Sequence, residues 1–64
     1  MTLNAQQHAA LMRMLELLPG TPTVSESSFR KVPDAIRLSI RDGDTKGYLV
    51  ITRDGLVREA MFRC

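Results

Sequence analysis

The amino-acid sequence predicts an α+β fold, an N-terminal helix packed on a three-stranded antiparallel β-meander in the order α-β-β-β. Three features carry this reading. Residues 4–18 are helix formers without interruption and end at Pro19-Gly20. Residues 35–41 alternate strictly, with Ile36, Leu38 and Ile40 pointing one way and Arg37, Ser39 and Arg41 the other. Asp54-Gly55 separates two strand-like runs and is a strong hairpin signal, because Gly accepts the positive φ that a tight turn needs.

The helix is expected to be capped by Thr2 or Asn4, whose short oxygen-bearing side chains accept from the free N–H groups of the first turn. At about 100° per residue, Leu3, Leu11, Met14, Leu15 and Leu18 form one apolar stripe. Ala5, Ala9, Arg13 and Glu16 fall opposite, and Met12 and Leu17 on the flanks are expected at the edge of the core. The connection over residues 19–34 is bracketed by Pro22 and Pro33. It reads either as a short helix capped by Ser25 and running through Phe29 to Val32 or as an irregular loop pinned by Val24, Phe29 and Val32; a structureless loop of that length is uncommon in a small domain, which favours a short helix or an extra edge strand.

The strands are expected over about 35–41, 47–53 and 56–63, within one domain of 64 residues. A two-residue Asp54-Gly55 loop pairs Arg53 with Leu56, Val50 with Glu59 and Tyr48 with Met61. Residues 42–47 are expected as a turn-rich loop that leaves the register of the first strand open. Aligning Ile36, Leu38 and Ile40 with Leu49 and Ile51 gives the most continuous apolar face, and a slip of one residue would exchange the faces. The opposite face then carries Arg37, Arg41, Tyr48, Val50, Val57, Glu59 and Met61.

Both sheet faces thus hold apolar side chains, and one helix covers one face. A domain of this size buries only about 60% of the surface of its unfolded chain and commonly needs a disulfide, a metal or a partner. One Cys and one His supply neither an internal disulfide nor a four-ligand zinc site, so no metal and no cofactor is expected. A partner remains, either a second copy in a homodimer or another protein. No apolar run reaches the ~18–20 residues of a membrane span, and the N-terminus lacks the pattern of a signal peptide, so a cytoplasmic location is expected.

The candidate chemistry is sparse. His8 has no carboxylate one helical turn away, and general acid–base catalysis needs partners in hydrogen-bond reach. Cys64 is the last residue, where a structured electropositive surround is hard to build. Asp42-Gly43-Asp44 opens like a calcium loop but lacks its closing Glu, and turn formation accounts for it. No enzymatic activity is expected. Arg37, Arg41, Tyr48, Val50, Val57 and Met61 are the expected partner-binding residues, since aromatics, Met and Arg are enriched in interface cores. The function expected is a small protein-binding regulator or inhibitor, of the kind that phages and other mobile elements encode. The alternative is a nucleic-acid-binding protein that uses the same face, with Arg37 and Arg41 on phosphates and Tyr48 stacking. A net charge of +2 and a single aromatic on that face weigh against it.

Overall fold

A computed structural model describes residues 3–27 and 34–63. One helix, α1 (Ala5–Leu15), precedes a four-stranded antiparallel sheet of β1 (Thr23–Glu26), β2 (Ala35–Asp42), β3 (Thr45–Thr52) and β4 (Val57–Arg63). The strand order is β1-β2-β3-β4, so each strand lies beside its neighbour in sequence and β1 and β4 are the two edges. The α+β architecture agrees with the sequence reading. The additional strand is β1, which takes the edge-strand option for the connection. Ser25 lies within β1 and caps no helix, while Phe29 and Val32 fall outside the described residues.

Asn4 is the N-cap of α1. Its side chain accepts from the Gln7 N–H at 2.7 Å, and the Gln7 side-chain oxygen accepts from the Asn4 N–H at 3.1 Å, a complete capping box. Asn4 also donates from Nδ2 to the Arg53 carbonyl at 3.0 Å, and the buried Gln7 donates from Nε2 to the Ile51 carbonyl at 3.4 Å. The residues that start the helix therefore also dock it on the β3–β4 end of the sheet. Replacing Asn4 with Ala is expected to cost about 1 kcal/mol of stability by the usual worth of an N-cap. Urea unfolding of Asn4→Ala checks this, and an unchanged midpoint would refute it. The helix ends at Leu15, shorter than the sequence suggests. Leu17 and Leu18 donate instead to Met14 and Leu15, three residues back, which tightens the chain before Pro19-Gly20.

The core lies between α1 and one sheet face. Ala10, Leu11, Leu38, Ile40, Leu49 and Ile51 are buried together, with Leu3, Met14, Leu15, Leu18, Val24, Ile36, Val57 and Phe62 packed around them. Met12 and Leu17 are exposed, so neither forms the core edge. The buried helical stripe is narrower than expected, and it includes Ala10, which is fully buried.

The register of β2 on β3 is the one that aligns the apolar faces, with Ile36 opposite Ile51 and Leu38 opposite Leu49. The connection between them is shorter than the expected six-residue loop. Asp42 pairs with Thr45, leaving Gly43 and Asp44 as the turn. Only Gly43 has a positive φ, +61°, the pattern of a type II′ hairpin turn. The β3–β4 turn also differs. Gly55 has φ +83° but Asp54 is not in the positive region, so the two-residue type I′ turn does not form. Gly55 N–H instead donates to the Thr52 carbonyl and Thr52 N–H to the Leu56 carbonyl, giving a three-residue loop. The frame then shifts by one residue until a bulge near Arg58 restores it, and Val50–Glu59, Leu49–Ala60 and Tyr48–Met61 pair as expected.

Candidate functional site

The sheet face away from α1 is ordered by the ladders into rungs. Arg41, Lys46 and Arg63 sit directly opposite one another across β2, β3 and β4, with Thr23 beside Arg41 on β1. The next rung is Ser25, Ser39, Tyr48 and Met61, and the third holds Arg37, Val50 and Glu59. The structure thus brings Arg37, Arg41, Tyr48, Val50 and Met61 to one face, as the alternation of β2 and β3 requires.

Val57 is the exception and corrects the expected site. The bulge places it opposite Ile51, and it packs against the helix-covered core. Arg58 and Leu56, which a two-residue turn would set on the core side, are exposed, Leu56 at 66%. A straight continuation of the ladder from a two-residue turn gives the wrong face for these residues. The dipeptide itself does not separate the two turns, since Asp also takes a positive φ, as Asp34 does at 59°; the torsions decide, with Gly55 in the positive region and Asp54 outside it.

Burial further changes the character of the face. Val50 is only 1% exposed and offers a partner almost no surface. Tyr48 is half-buried, with the Arg37 guanidinium carbon 4.0 Å from its ring centroid, a cation–π contact. Met61, 51% exposed, is the large apolar side chain still open on this face. What stands out instead is charge. Arg41, Lys46 and Arg63 occupy one rung, and no ion pair joins any of them to a described carboxylate; the ion pair found among the described residues is Arg53 with Asp34, 3.9 Å apart and exposed. Like charges directly opposite in a sheet oppose folding. The row was hidden in the sequence, because Lys46 belonged to an expected loop.

Gly47 explains how β4 is held beside this row. It lies opposite both Ile40 and Phe62, and a Cβ there would meet the Met61 carbonyl oxygen and stand 2.5 Å from the Phe62 ring. The bare backbone lets Phe62 fold over β3 on the core side. His8 is exposed on α1, Asp42-Gly43-Asp44 is a hairpin turn whose Asp42 carboxylate accepts from the Gly20 N–H at 3.0 Å, and Cys64 lies outside the described residues. No described helix is long and apolar enough to cross a membrane. Compared with known proteins, the chain matches no family model, no curated protein and no solved structure.

Proposed function

We propose that this chain is a small non-enzymatic regulator or inhibitor that acts in the cytoplasm by binding an acidic surface of a partner protein through the open face of its sheet. The observation that carries the reading is the Arg41–Lys46–Arg63 rung bordered by Tyr48 and Met61. Three cations aligned without a described acidic partner are unfavourable for the chain by itself and favourable against carboxylates, and local conflicts of this kind concentrate at functional sites. An exposed Met and a half-buried Tyr beside Arg side chains match the composition of interface cores. The same rung suits phosphates, which supports the nucleic-acid reading. Against that reading, Arg37 already occupies the Tyr48 ring, and Glu59 lies on the same face.

The test is fluorescence anisotropy with two labelled probes, a peptide alternating Glu and Leu and a single-stranded oligothymidylate. The peptide is expected to bind, and Arg41→Glu with Lys46→Glu to weaken it about tenfold or more, as expected for loss of charge-assisted contacts. Tighter binding of the oligonucleotide, lost steeply with salt, would replace the protein-binding reading with nucleic-acid binding. Binding of neither probe would remove the open face as the functional surface.

A further inference from the structure

The second edge of the sheet bears a self-complementary pattern. β4 is an edge strand of seven residues, whereas the other edge, β1, has four and follows Pro22 directly. A long unpaired edge is a template for another strand, and proline beside a short one blunts it. The backbone phase of β4 follows from the turn. Thr52 N–H donates to Leu56 O across it, so alternate residues of β3, namely Val50, Tyr48 and Lys46, aim their polar backbone groups at β4. Their partners Glu59, Met61 and Arg63 aim back at β3. Ala60 and Phe62 therefore present N–H and C=O outward along the free edge.

An antiparallel pair of identical strands related by a two-fold axis must match outward residues with outward residues. The axis then passes through Ala60, Met61 or Phe62, never between two residues. With Ala60 on the axis, Glu59 faces Met61 of the second copy. With Phe62 on it, Met61 faces Arg63. With Met61 on the axis, Glu59 faces Arg63 of the second copy, Arg63 faces Glu59, and Met61 faces Met61. Glu59 and Arg63 make no ion pair with a described residue within the chain, and opposite charges facing across a pair favour that register. On the helix side the same register sets exposed Ala60 against the larger Phe62, and these two residues exchange their free backbone bonds.

We propose that a second copy of this chain docks on β4, antiparallel and with Met61 on the two-fold axis, to form a continuous eight-stranded sheet. The dimer supplies Arg63 with the carboxylate that its own rung lacks, and it leaves Arg41 and Lys46 to the open face. It shares Arg63 and Met61 with the binding face proposed above, but the test variants of that function, at Arg41 and Lys46, lie on β2 and β3, so the two can fail separately.

Sedimentation equilibrium under reducing conditions is expected to give a concentration-dependent dimer. Glu59→Arg and Arg63→Glu each put like charges opposite one another twice and are expected to weaken it about tenfold, whereas the double variant exchanges the pairs and restores it. Ala60→Pro removes an outward N–H that β3 does not use and is expected to give a folded monomer by circular dichroism. In a Cys64→Ser background, Met61→Cys is expected to crosslink to itself on oxidation, and Glu59→Cys is not, because only the former faces its own copy. A monomer at every concentration overturns the proposal. A dimer that survives Ala60→Pro, or one whose charge exchange fails to restore it, overturns the β4 register.

Discussion

Leu49→Ala is expected to remove about half of the stability of this chain. Leu49 is fully buried on β3, opposite Leu38 on one side and Ala60 on the other, in the cluster that includes Leu11 and Ala10 of the helix. Truncating a buried Leu costs about 2–5 kcal/mol, the transfer term plus the cavity it leaves. At about 0.05–0.15 kcal/mol per residue, a chain of 64 residues holds roughly 3–10 kcal/mol in all. The loss is therefore about half of the total, and the urea midpoint is expected to fall in proportion. Leu17→Ala, on an exposed side chain, is the matched comparison and is expected to change stability by less than about 0.5 kcal/mol. Equilibrium urea unfolding at one fixed protein concentration checks both, since self-association would otherwise enter the midpoint. A smaller loss for Leu49 than for Leu17 would mean that the helix covers the other sheet face.

The parts of this fold legible in the sequence are those where a single period decides. Ile36, Leu38 and Ile40 alternate without error, which puts them on the face of Leu49 and Ile51, and the observed register keeps them there. Asn4 and Gln7 stand at the spacing of a capping box, and reading the pair together would have fixed the helix start and identified the buried Gln7 as its anchor on the sheet. The failures lie where one backbone torsion outweighs the pattern. A single positive φ at Gly43 closes a two-residue turn inside a segment rich enough in Gly and Asp to resemble a long loop. Lys46 thereby joins a strand, and the basic rung exists only as a consequence. β1 carries one core-facing apolar residue, Val24, within four, too few for alternation to be visible; it forms because β2 offers it an edge. Val57 lies on the core side for a related reason: Asp54-Gly55 reads as a two-residue turn, whereas the chain closes a three-residue loop with one positive φ and a bulge follows.

Gly55 is the residue in which that torsion and the tertiary structure meet. Its φ of +83° already disfavours any residue with a Cβ, and a Cβ there would stand 2.8 Å from the Gln6 carbonyl oxygen in the first turn of α1. Gly43, at φ +61°, has no atom within 4 Å of the same position. Comparing the two separates torsional strain from collision. Gly43→Ala is expected to cost about 1–3 kcal/mol, the penalty of holding a residue with a Cβ in a sparsely populated positive-φ region. Gly55→Ala is expected to cost that amount and about 1–3 kcal/mol more, because the helix start must move off the turn. Asn4 holds that start in place through its bond to Arg53. With Asn4→Ala already present, the helix end is freer to give way, so the additional cost of Gly55→Ala should shrink and the double mutant should cost less than the sum of the two single changes, a negative interaction energy in the cycle. Equal costs for Gly43→Ala and Gly55→Ala would mean that the helix start yields without resistance, and the capping residues would then fix the helix without fixing its place on the sheet.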